Sequence, residues 1–241
     1  MIHYASVHEQ GGRKYQEDFL GVLCQNNIGV FALADGLVGH GLGDLASECV
    51  VRYAVEQYVP GCEASEYFQE VFLGGNERLL QIQDQRNDMR SAKTTLVCAV
   101  VEEGMLQAAY IGDSRLYYFR QGKIQFCTAD HSVPQMLVQA GEIRPDEIRK
   151  HPDRNRLLRV LGERDRPIKY QEISPIPLTP GDQILLCTDG FWEYVLEEEM
   201  EKDLAKARNS DDWMSRMRRK VRRRGFWERQ DNYSALGIWI G

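Results

Sequence analysis

The chain predicts an α+β fold in which two β-sheets pack together and helices cover the outside. Two observations carry that expectation. The run "TTLVCAVV" from Thr94 is apolar on both faces, so one face has to meet another sheet and the other has to meet helices. Strand-like runs return early, in the middle and at the end of the chain, with helical periodicity set between them.

Each element has its own signal. "FLGVLCQNNIGVFALAD" (Phe19–Asp35) holds two apolar runs around Gln25-Asn26-Asn27, a turn-rich trio, and predicts a hairpin. "GDLASECVVRYAVEQYV" (Gly43–Val59) places Leu45, Cys49, Tyr53 and Val55 near helical spacing. A second long helix is expected from Ala64, weakened or kinked at Gly74-Gly75. Residues 94–128 are β-branched and aromatic, broken at Glu103-Gly104 and Gln121-Gly122, two pairs suited to tight turns. Residues 130–162 mix short helices with charged connectors, as a mobile excursion over the main sheet. Strands are expected again in "IKYQEISPIPL" and "GDQILLCTDG", followed by an amphipathic helix pair across 197–224 and a last strand, "NYSALGIWI".

Bulk properties narrow the function. With 241 residues, no linker-like stretch and no repeat, one domain over 1–241 is expected. A net charge of −6 argues against nucleic-acid binding by phosphate neutralisation. The basic run "RMRRKVRRRG" (Arg216–Gly225) sits behind the acidic "LEEEMEKD" (Leu196–Asp203) and reads as a solvated helix face. The 6 cysteines are scattered without metal-finger spacing, which fits a reducing compartment. No segment reaches the roughly 18 apolar residues of a membrane span, and the N-terminus lacks a signal-peptide core. The expected location is cytoplasmic, with no membrane association, and a monomer suffices.

Aspartates carry the chemistry. Asp35 closes "FALAD" before Gly36, and Asp189 closes "ILLCTD" before Gly190. Asp113 follows "QAAYIG", Asp18 precedes "FLGVL", and Asp231 precedes the final strand. One aspartate at a strand rim is ordinary turn chemistry; five in equivalent stations are not. Hard oxygen ligands without histidine or cysteine point to Mg²⁺ or Mn²⁺. Converging carboxylates without a cation would repel and raise each other's pKa. A pair of dications uses that repulsion: it shares a carboxylate, acidifies a water and supports in-line displacement at phosphorus.

"RKYQEDF", "ADGLVGHGLGDLAS", "AAYIGDSRLYYFR", "TADHS", "LLRVLG", "LLCTDG" and "DNYSALGI" resemble, in order, the motifs of the metal-dependent protein phosphatase (PPM, type 2C) family. The resemblance spans nearly the whole chain, and the compact length is similar to the stand-alone bacterial members. It implies a four-layer α-β-β-α sandwich of two antiparallel sheets, two Mn²⁺ or Mg²⁺ ions, and hydrolysis of phosphoserine and phosphothreonine in proteins, a cognate kinase or its substrates among them. On these motifs, Asp35 would bridge both metals, the Gly36 carbonyl would bind one, and Asp189 and Asp231 the other. Glu17 and Asp18 would act through waters on the metals, and Asp113 with Asp189 resembles a third-metal site. Arg13 matches the arginine that holds the substrate phosphate, a bidentate task suited to guanidinium. Residues 132–160 correspond to the variable flap.

His40, ending the glycine loop, is the candidate general acid; His131 reads as structural. The loop departs from the family pattern at Val38, which stands for a glycine, and Gln16 and Ser234 stand where asparagine and threonine are common. No metal position is lost. The alternatives are a non-catalytic phosphoprotein-binding or regulatory module on the same fold, and a small-molecule phosphatase. A covalent cysteine phosphatase lacks its cysteine-to-arginine spacing, and no phosphate-binding glycine loop with lysine is present.

Overall fold

A computed structural model describes residues 1–25, 27–37, 42–225 and 230–241. Its strands are β1 (Ile2–Glu9), β2 (Asp18–Gln25), β3 (Ile28–Asp35), β4 (Leu96–Glu102), β5 (Met105–Ile111), β6 (Arg115–Arg120), β7 (Lys123–Cys127), β8 (Gln171–Glu172), β9 (Ile176–Pro177), β10 (Gln183–Cys187) and β11 (Tyr233–Ile240). One sheet runs β1-β11-β10-β6-β7 and the other β2-β3-β4-β5-β8, with β9 also on β5; every pairing is antiparallel. The helices are α1 (Gly43–Glu56), α2 (Ala64–Gln69), α3 (Gly75–Gln85), α4 (Val133–Gln139), α5 (Asp189–Trp192), α6 (Glu197–Leu204) and α7 (Ser210–Gly225).

Strand alternation builds the four layers. In β3, Val30, Ala32 and Ala34 pack under α1, while Phe31 and Leu33 enter the inter-sheet core. β4 repeats this, with Leu96, Cys98 and Val100 toward the helices and Val97, Ala99 and Val101 toward the other sheet. The doubly apolar "TTLVCAVV" is thereby covered on each side, as expected. In the opposite sheet, Leu185 of β10 and Tyr117 and Phe119 of β6 meet Trp213, Met214 and Met217 of α7. The two sheets flanked by helices match the predicted class.

Some elements differ from the sequence reading. β1 was not anticipated; only its Ala5 and Val7 are buried, because it is an edge strand paired to β11 alone. "IKYQEISPIPL" yields only the two-residue strands β8 and β9, since Pro175 and Pro177 cannot donate to a ladder. Gly74 and Gly75 keep helical dihedrals (φ −64 and −60); the irregularity is a wide π turn over Glu70–Gly74 just before α3. Both expected tight turns form, with positive φ at Glu103 (50) and Gln121 (53) as well as at the glycine after each. The basic run is largely paired on α7: Arg216 with Asp212, Arg222 with Glu9, and Arg224 with Glu199.

Candidate metal centre

Register brings the first two carboxylates together. Asp18 opens β2 directly opposite Asp35, which ends β3. The Asp35 backbone is pinned on both sides: its N–H donates to Thr95 Oγ1 at 2.9 Å, and its carbonyl accepts from Thr94 Oγ1 at 2.8 Å. Gly36 then passes so close to Gly43 that a Cβ on it would lie 2.2 Å from the Gly43 carbonyl oxygen, so no larger residue fits. The Gly36 N–H donates to the Glu17 carbonyl at 3.1 Å, and Glu17 Oε1 accepts from Gly43 N–H at 3.2 Å.

The other sheet supplies the rest. Asp189 is the first residue of α5 and accepts from the Gly190 N–H at 2.6 Å. Gly190 is another forced glycine, its Cβ position 2.0 Å from the Asn232 carbonyl oxygen. Asp113 lies in the turn between β5 and β6; Trp192 Nε1 donates to its carbonyl at 3.0 Å. Arg115 makes two 2.7 Å bonds to Asp130 and lies 3.6 Å from the Trp192 ring centre, so a buried ion pair fixes that turn.

Arg13, Glu17, Asp35, Gly36, Asp113, Asp189 and Asp231 line one cavity of about 180 Å³, with Leu37, Asn155 and Leu157. Asp18 is outside that lining, 2% exposed, and accepts from Thr188 Oγ1 at 3.0 Å. His40 and Val38 lie outside the described residues. His131 is buried, stacks on Tyr110 at 4.9 Å and accepts from Gly112 N–H at 3.2 Å, away from the cavity lining. Burial pushes its pKa down to about 4, which keeps it neutral.

The electrostatics are those of an anionic cage. Burial, then Asp189, Asp18, Asp113 and Asp231, drive the Asp35 pKa well above its ordinary value; burial, then Asp113 and Asp231, do the same to Asp189. Burial lifts Asp113 to about 7, with Asp130 adding to it. Burial also lifts Asp18 to about 7, although the Ser234 and Thr188 hydroxyls pull it back. Arg13 Nη2 donates to Asp231 Oδ2 at 2.5 Å, the two side chains 50% and 35% exposed. The expected phosphate-holding arginine is thus folded onto an expected metal ligand. A pair this open to water is worth about 0–1 kcal/mol, so exchanging it for other partners costs little.

The donor set fits hard dications. Asp18 Oδ1 and Asp113 Oδ1 are buried with no hydrogen-bond partner, an arrangement that calls for a cation or a bound water. Among the described residues, no three of these groups are yet gathered tightly enough to hold one ion; they ring the cavity instead.

Comparison with known proteins places the chain. The sequence profile described as Protein phosphatase 2C matches residues 6–231. The chain belongs to the protein phosphatase 2C family. It is 31% identical over 203 residues to the serine/threonine phosphatase stp of Listeria monocytogenes serotype 4b (strain F2365), covering 81% of this chain and 80% of that one. The crystal structure of the Mycobacterium tuberculosis serine/threonine phosphatase PstP/Ppp superposes with a TM-score of 0.87 at 26% identity, over 99% of this chain and 98% of that one. A PstP catalytic domain in complex with 2 manganese ions shares the fold, with a TM-score of 0.84 at 24% identity over 100% and 99% of the two chains.

Several supporting residues escaped the sequence reading. Asn232, 3% exposed, donates to the carbonyls of Gln10 (2.7 Å) and Tyr15 (2.9 Å) and accepts from Glu17 N–H (2.8 Å). It clips the Arg13 loop to the strand after Asp231. Thr94, Thr95 and Thr188 hold the backbone or the carboxyl of the aspartates. Their signal was position alone: hydroxyls and an amide next to a motif aspartate.

Proposed function

We propose that this chain is a metal-dependent protein serine/threonine phosphatase that works at the aspartate-lined cavity. The observation that carries the reading is that Asp35, Asp113, Asp189, Asp231 and Arg13, far apart in sequence, line the same small cavity. Asp35, the Gly36 carbonyl, Asp189 and Asp231 would hold two Mn²⁺ or Mg²⁺ ions. Glu17 and Asp18 would act through waters, and Asp113 with Asp189 would take a third ion. Bound there, the ions supply an acidified attacking water and offset charge on the phosphoryl oxygens.

Arg13 lines the cavity with its side chain half exposed, and its guanidinium can leave Asp231 for two phosphate oxygens. Asp231, Asp189 and Asp35 all raise its pKa against the opposing effect of burial, so it stays cationic throughout. The cavity, at about 180 Å³, is smaller than the roughly 300 Å³ or more usual for a site that encloses a whole small molecule. That favours a phosphorylated side chain presented by a polypeptide lying on the surface. Phosphoproteins are the substrate class, a serine/threonine kinase or its targets included. The proposed setting is a monomer acting in the cytoplasm; no described helix is long and apolar enough to cross a membrane.

The test is release of phosphate from a phosphothreonine peptide in Mn²⁺, compared with nucleoside and sugar monophosphates. Peptide turnover that disappears in Asp189→Asn supports the reading. Turnover confined to the small molecules, or phosphopeptide binding with no turnover, would replace it with one of the two alternatives.

A further inference from the structure

Two grooves are built on segments that adjoin those lining the cavity. One, of about 370 Å³, is bordered by Arg90, Lys93, Arg164 and Arg166; the other, of about 240 Å³, adds Arg159 and Lys169. They share Glu163 and Arg166, so they form one strip. Lys93 is 2.8 Å from Glu163, and Arg164 is 2.7 Å from Asp84. Among the described residues, Arg90, Arg159, Arg166 and Lys169 have no ion-pair partner, against Asp165 as the one such carboxylate on the same rims. The strip therefore carries surplus positive charge on a chain whose net charge is −6.

Its position ties it to the cavity at two points. The N–H of Leu37, which lines the cavity, donates to the Lys93 carbonyl at 2.8 Å. Leu157 lines the cavity while the next residue, Leu158, lines the groove. An extended polypeptide with its phosphoresidue in the cavity can therefore run directly over these cations.

We propose that this strip docks an acidic segment of the phosphoprotein substrate, flanking the phosphoresidue. The proposal rests on the phosphatase reading above. A carboxylate-ringed cavity on a negatively charged chain repels an acidic polypeptide, and only a local cationic strip reverses that sign. Unpaired guanidinium groups offer planar, two-pronged donors to carboxylates.

Two phosphothreonine peptides, alike except for flanking Asp/Glu or Ser/Gly residues, test it. In Mn²⁺ the acidic peptide should show a kcat/KM about fivefold higher, through KM. The gap should close in Arg90→Ser/Arg166→Ser and in about 0.5 M salt, while p-nitrophenyl phosphate turnover stays unchanged. Equal kcat/KM in the unmodified protein, or a gap that survives the double substitution, would overturn the proposal. Anisotropy of a labelled acidic peptide without phosphate gives a readout independent of catalysis. Binding that weakens about fivefold in the double variant supports the strip even if no phosphopeptide is turned over, an outcome that would sink the phosphatase reading alone. A single-stranded oligonucleotide that displaces the peptide and binds more tightly would overturn a polypeptide occupant.

Discussion

Asp35 faces the other carboxylates across the cavity floor, and nothing cationic in the described residues lies against it at ion-pair distance. Its cost in the folded state is recovered only when positive charge arrives. Asp35→Asn keeps the shape and removes the charge, so phosphopeptide turnover should fall by roughly a thousandfold while the melting temperature holds or rises in the absence of metal. Steady-state kinetics beside a thermal melt check both halves; near-normal turnover in Mn²⁺ would contradict the assignment. Asn232 touches no substrate in this account, yet it clips the Arg13 loop to the Asp231 strand through three bonds. Asn232→Ala should weaken Mn²⁺ affinity by about 10–100-fold, the range seen when groups supporting a metal site are lost, as read by calorimetric titration.

The turn between β5 and β6 shows why an element with little apolar content is still rigid. Arg115 and Asp130 are paired with side chains 8% and 2% exposed, and burial of the guanidinium is offset by the Asp130 carboxylate, which holds its pKa well above the usual range. Removing Asp130 leaves the guanidinium buried with only the longer, 3.7 Å approach to Glu197. Asp130→Ala should therefore cost about 3–5 kcal/mol in chemical denaturation. Asp146→Ala, which breaks an exposed pair to Arg144, should leave the denaturation midpoint almost unchanged. Equal effects would remove the buried pair from the account.

The hairpins and the doubly covered β4 were legible because alternation and turn pairs are local signals. β1 and the stubs β8 and β9 were not. β1 exposes most of its side chains at a sheet edge, and Pro175 and Pro177 cut a strand-like run that composition alone favoured. The aspartates of the cavity were readable from their stations at strand rims. Arg13 lying on Asp231, and the Asn232 clip, depend on tertiary approach and leave no mark in spacing.

Taken as one molecule, the four layers bring acidic rims of both sheets to one edge, and that links stability to pH. Asp18 and Asp113 have pKa values near 7 in the folded protein against an ordinary aspartate in the unfolded chain. Between about pH 4 and 7 the ion-free native state holds protons that the unfolded state has released, so its stability falls as pH rises through that window. Dications compete with those protons. The gain in melting temperature on adding Mn²⁺ should therefore be larger near pH 7.5 than near pH 5.5, and scanning fluorimetry at the two values checks the sign.

Anomalous scattering from a crystal grown in Mn²⁺ bears most directly on the shared cavity. Two peaks within roughly 4 Å of each other are expected between Asp35, Asp189 and Asp231. A cavity without density, or peaks only at surface carboxylates, would contradict it.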